Sequence, residues 1–156
     1  MTDAEVDAKL AELGLTLPAA AAPVAAYVPV VIAGGLAYVS GQVSFVNGEL
    51  LKGRLGEELG IADGIAAAQG CGLMILAQLK AALGSFERVE RIVKLGGFVN
   101  SAGHFTDQPK VVNGASELMV AVFGEAGRHA RSAVGVPTLP LGVAVEVDAI
   151  VSVRPA

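Results

Sequence analysis

The chain has 156 residues, 53% of them apolar and 17% charged, with a formal charge of −4. That length fits one domain, and so apolar a chain is not disordered. No run of Lys or Arg forms a stripe able to track phosphates, Trp is absent, and Tyr27 and Tyr38 are the only tyrosines, so composition argues against nucleic acid as a partner.

No stretch reaches about 18 uninterrupted apolar residues, so no membrane span is expected and surplus apolar surface is expected to be buried between subunits. Asp3, Glu5, Asp7 and Glu12 are scattered where a secretory signal would carry a basic end and an apolar core. Cys71 is the lone cysteine and cannot form an internal disulfide. Together these predict a cytoplasmic protein. Cys71 lies between Gly70 and Gly72 on an apolar segment, which suits a small core filler better than a nucleophile.

Residues 1–22 read as an accessory helix and connector, and 23–156 as a single domain. Ala4 to Leu13 places Val6, Leu10 and Leu13 at helical spacing before Gly14, and Pro18 to Pro23 forms the connector. From Tyr27 the pattern turns to strand. Val28 and Val30 to Ile32 precede Gly34 and Gly35, and Leu36, Tyr38 and Val39 follow, which predicts a tight hairpin; Asn47 and Gly48 predict a second. Ile61 to Leu83 carries an apolar stripe through Ile61, Ile65, Ala68, Gly72, Ile75, Leu79 and Leu83, with Gly84 as its stop.

Val89 to Asn100 predicts an interior strand with a bulge at Gly96 and Gly97. A second helix is expected from about Asp107, capped by Thr106 or Asp107, with Pro109 in its first turn and Val112, Ala115, Met119, Val122 and Phe123 on one face. Strands from Arg131 to Val136 and from Val143 to Val153 complete the chain. This order predicts an α+β fold in which two helices cover one face of a mixed sheet.

Arg131 and Glu146 stand out because both are charges set in strand-like apolar sequence, where burial without a partner is costly. Arginine stays protonated and its planar fork suits a carboxylate, whereas a glutamate can manage a proton or a water. From the residues alone, a structural ion pair between them explains the pattern as well as a ligand site does. Asp148 falls on the same strand face as Glu146. The histidines, His104 and His129, lie on different segments and do not make a multi-ligand metal site by themselves; His129 reads more readily as a structural histidine than a catalytic one. Arg128 reads as part of a solvated turn.

Over roughly Tyr27 to Arg154 the chain resembles the Rid family, also called YjgF. The likeness rests on Ser40, Gly41 and Gln42 after the first hairpin, Phe98 and Val99 ending the interior strand, and Asn113 in the second helix. It rests above all on Arg131 and Ser132, then Leu139 and Pro140, then Val145, Glu146 and Val147. The resemblance implies a chorismate-mutase-like α+β fold, a homotrimer, and ligand clefts between subunits. It further implies hydrolytic deamination of 2-imino acids to 2-keto acids and ammonia, with Arg131 binding the substrate carboxylate and Glu146 holding the attacking water. Tyr27, Ser40, Asn113 and Ala133 would line the same cleft. No metal or organic cofactor is implied, since an imine carbon is already electrophilic. Ala133 replaces a cysteine frequent in the deaminase branch, Ala25 and Ala26 replace its Gly-Pro, Pro29 follows closely, and the segment from Gly124 to Ala130 is longer by one residue. These changes reshape the cleft wall and point to a diverged branch. A non-catalytic keto-acid-binding protein using the same cleft is the alternative, and an endoribonuclease or translation inhibitor the third reading.

Overall fold

The computed structural model describes residues 1–23 and 25–156. Among these residues three α-helices, α1 (Asp3–Glu12), α2 (Ile61–Leu83) and α3 (Gln108–Phe123), accompany seven strands. The strands are β1 (Val30–Ala33), β2 (Leu36–Val43), β3 (Phe45–Val46), β4 (Glu49–Leu50), β5 (Val89–Asn100), β6 (Ala130–Val136) and β7 (Val145–Val153). The main sheet runs β1-β2-β7-β5-β6, and β3 and β4 form a separate hairpin. Within this sheet β5 and β6 pair in parallel and the other neighbours antiparallel, so the sheet is mixed as expected.

Alternation in β7 decides which face is covered. Val145, Val147, Ala149, Val151 and Val153 are buried under α2 and α3, while Glu146, Asp148, Ile150 and Ser152 point to the opposite, open face. Both hairpins form at the predicted turns, where Gly34, Gly35, Asn47 and Gly48 all take positive φ, the geometry of a two-residue loop that matches strand twist. The helix boundaries follow the sequence signals closely: α2 stops at Gly84 in the left-handed region, and Pro109 occupies the first turn of α3.

Three expectations are corrected. Gly96 and Gly97 pair regularly with Asp148 and Val147, and β5 slips register nearer its start, between Val89 and Arg91 and between Ile92 and Lys94. A side chain at Gly97 would press on Val112 of α3 at 2.6 Å, so this glycine serves helix packing rather than a bulge. The buried face of α2 is broader than the stripe: Cys71, Leu76 and Gln78 are buried and Ile65 is exposed. The Asp107 side chain makes no capping hydrogen bond and instead meets Lys110 at 3.5 Å.

α2 is long and apolar enough to cross a membrane, yet most of it is buried against the sheet and α3. Cys71 sits in this core as expected, and burial pushes its thiol pKa up. Val6 and Leu10 of α1 enter the same core, and Asp3 ties α1 down by accepting from Lys80 Nζ and from the Phe86 amide at 2.8 Å.

α2 and α3 approach closely because Gly114 has no side chain: a Cβ there would collide with the Ile65 carbonyl oxygen. Alanine favours a helix over glycine by about 1 kcal/mol. A backbone carbonyl cannot turn aside, however, so overpacking wins. Gly114→Ala is expected to lower stability by about 1–3 kcal/mol, read as a drop in urea midpoint at constant slope.

Candidate active site

β2 carries the sequence Ser40-Gly41-Gln42 across an irregularity: Val39 pairs with Ala149, Gln42 pairs with Val147, and the residues between do not follow the ladder. The Glu146 carboxylate lies over this break. A Cβ at Gly41 would overlap Glu146 Oε2, so only glycine leaves room for the acid. Burial, with the nearby Asp148 charge second, raises the Glu146 pKa above its ordinary value.

Glu146 lines a cavity of about 500 Å³ together with Tyr27, Ser40 and Gln42. Ser40 Oγ donates to the Val28 carbonyl at 2.9 Å, which fixes the approach to Tyr27 and leaves the hydroxyl oxygen free to accept. The residues preceding Tyr27 form an apolar wall of Ala21, Ala22, Pro23 and Ala25. Gln78 of α2 holds that wall, donating to the Ala21 carbonyl at 2.7 Å and approaching Gln42 Oε1 at 3.3 Å. Leu141, held at φ 62° between Pro140 and Gly142, is 53% exposed at the rim.

Arg131 lies elsewhere. It pairs with Leu95, and Leu95 pairs with Ala149, so its side chain faces the helices, whereas Glu146 pairs with Phe98 on the open face. β5 separates their strands, placing the two backbones about 10 Å apart. An intrachain ion pair, which the residues alone allowed, is therefore absent. Arg131 Nη1 donates to Asn113 Oδ1 at 2.8 Å and Ser116 Oγ at 3.1 Å, and Nη2 donates to the Pro109 carbonyl at 3.3 Å. Nε–H and the second Nη2–H have no partner among the described residues.

The chain thus brings Tyr27, Ser40 and Glu146 together at one place, and Arg131 with Asn113 at another. Ala133 shares the helix-facing side of β6 with Arg131 and packs against the core. Arg128 is exposed and pairs with Glu125 at 3.1 Å, as a turn residue should. Sequence reading missed Gln78, Leu141 and Ser116. Gln78 was detectable as an amide between Ile75 and Leu79 on an apolar helix face; Leu141 and Ser116 had no local signal.

The fold and these positions define a YjgF-type α+β domain. The family described as "YjgF/chorismate mutase-like, putative endoribonuclease" matches residues 7–151, and the chain belongs to it. Protein TCP17 of Trypanosoma cruzi is 52% identical over 151 residues, covering 96% of this chain and 94% of that one. A crystal structure of a protein with unknown function from Agrobacterium tumefaciens superposes with a TM-score of 0.91 at 46% identity, over 97% of this chain and 94% of the other. RidA from an Antarctic Psychrobacter is similar at a TM-score of 0.59 and 30% identity, over 88% and 95% of the two chains.

Proposed function

We propose that the protein is a cytoplasmic homotrimeric hydrolase that converts carboxylate-bearing imines or enamines to keto acids and ammonia, in clefts formed by two subunits. One observation carries this reading. Arg131 and Glu146 are half-buried opposite charges, and among the described residues neither has a countercharge in its own chain. Arg131 keeps the donors that grip a carboxylate side-on. Glu146 sits in a cavity whose other titratable lining group is Tyr27. The described lining of this cavity carries no Lys or Arg to pair with a run of phosphates, which is why an RNA substrate is the weaker fit.

The open sheet face supplies a surface for neighbouring copies. Val31, Tyr38 and Val134 are 50%, 44% and 46% exposed on it, beside Glu146 and Asp148. The two-subunit cleft proposed here sets one copy's cavity against another copy's β6 edge across this face.

In the proposed reaction Arg131 holds the carboxylate and Glu146 orients a water toward the imine carbon. The water oxygen bonds to that carbon, the C=N π electrons move to nitrogen, and Glu146 takes a water proton. Glu146 returns that proton to nitrogen, giving a carbinolamine; the proton of the new hydroxyl then passes to nitrogen by way of Glu146, so the C–N bond breaks and ammonia leaves as the carbonyl forms. Asn113, Tyr27 and Ser40 line the cleft and orient the substrate, and Ala133 shapes the wall beside Arg131.

The test generates 2-imino acids in situ and follows keto acid with and without protein; no acceleration for any of them overturns the hydrolase. Complementation tests the two-subunit cleft. At substrate well below the wild-type KM, Arg131→Ala and Glu146→Gln should each show about a hundredth of wild-type activity or less alone, and unfolding and refolding them as a mixture should restore a substantial fraction of it. Mixtures that stay inactive despite subunit exchange place both residues' roles within one chain.

A further inference from the structure

The side chains around Arg131 form a connected series that extends beyond its direct partners. His129 Nδ1 lies 2.7 Å from the Gly127 carbonyl oxygen, and its Nε2 lies 2.9 Å from Ser116 Oγ. Ser116 Oγ in turn takes Arg131 Nη1–H at 3.1 Å. A carbonyl oxygen only accepts, so Nδ1 carries the proton and, in the neutral ring, Nε2 is an acceptor. Arginine only donates, which leaves the Ser116 proton free to point at Nε2. The bonds therefore run in one direction: Arg131 Nη1–H to Ser116, Ser116 Oγ–H to His129 Nε2, and Nδ1–H to Gly127.

Both ends of this series are rigid. Asn113 and Ser116 lie three residues apart on α3 and share a face, so both meet the same nitrogen of Arg131. Gly127 is buried, and a Cβ on it would collide with the Met119 carbonyl, so the turn carrying the acceptor is pressed onto the end of α3. An arginine side chain on an edge strand has wide rotamer freedom unless such contacts restrict it.

We propose that His129 and Ser116 are positioning residues that orient the Arg131 guanidinium, holding Nη1 inward so that the Nε and Nη2 edge faces the ligand carboxylate. The consequence for affinity rests on the role given to Arg131 above; the positioning itself does not. Neither residue touches substrate. Ser116 sets the plane of the fork, and His129 sets the hydroxyl rotor of Ser116.

Two substitutions separate this role from simple support of the turn. Asparagine at 129 can keep the donor to Gly127 but not the acceptor toward Ser116; glutamine can keep the acceptor. The readouts are affinity for pyruvate by calorimetry and the Nη resonances of Arg131 in protein labelled at arginine, where a held guanidinium gives two signals and a freely rotating one gives a single signal. Ser116→Ala and His129→Asn are expected to weaken pyruvate binding about tenfold and merge the signals, and His129→Gln to restore both. Thermal melts establish that each variant is folded. If His129→Asn matches wild type in either readout while Arg131→Ala abolishes binding, the positioning role is overturned and the function stands. If the signals respond as expected but Arg131→Ala still binds pyruvate, positioning stands and the carboxylate anchor is wrong.

Discussion

Arg131→Ala should cut kcat/KM for a carboxylate-bearing imine by about a hundredfold or more, mostly as a rise in KM. Removing one partner of a charged, partly desolvated pair leaves the other without compensation, and truncations of that kind cost about 2–5 kcal/mol. Arg131→Lys keeps the charge but loses the planar fork, so a deficit of about tenfold should remain. Asn113 Oδ1, Ser116 Oγ and the Pro109 carbonyl would lose a donor in the alanine variant. All three lie at a half-exposed edge where water can replace it, so the urea midpoint should move little. Steady-state kinetics beside denaturation curves check both halves; a wild-type KM in the alanine variant places the anchor elsewhere.

Glu146→Gln should lower kcat by about 10²–10⁴-fold, the usual span for a positioned acid or base. It should also abolish the acid limb of the pH–rate profile. In the wild type that limb should lie above 4.5, the ordinary glutamate value, because burial first and the Asp148 charge second raise the folded-state pKa. Stability should move the opposite way. A raised carboxyl pKa means the folded chain binds this proton more tightly than the unfolded chain, so stability falls as pH rises from the unfolded value through the folded one. Above the folded-state pKa the wild type bears this cost in full, and Glu146→Gln removes it. The variant should therefore melt higher than wild type at neutral pH, with the difference vanishing below the unfolded value. A variant that is both inactive and less stable at neutral pH would mean that Glu146 holds structure instead.

Much of the fold was legible because its signals are local. Paired positive-φ residues at Gly34-Gly35 and Asn47-Gly48 announce hairpins, Gly84 and Pro109 mark helix ends, and strict alternation marks β7. Expectations that depended on what an element packs against were less secure. Gly96 and Gly97 have the composition of a bulge, but they are small because Asp148 and α3 press on that stretch of β5. Ile65 has the spacing of a core residue, yet α2 turns it outward.

The site shows the same division. Period-two alternation alone puts Glu146 and Asp148 on the face away from the buried valines, and the two charges are conspicuous in any apolar strand. Residue types likewise suffice for the chemistry on offer, a permanent fork-shaped cation and a titratable acid. Strand order and register, which arise from pairings distant in the chain, decided that β5 separates the charges and that they face opposite sides of the sheet. Tertiary packing also decided that Gly41 makes room for an acid with a raised pKa, and that Gln78, Ser116 and His129 reach across from other segments. Alternation is a property of one strand, whereas a site is a relation among several, and only the folded arrangement supplies that relation.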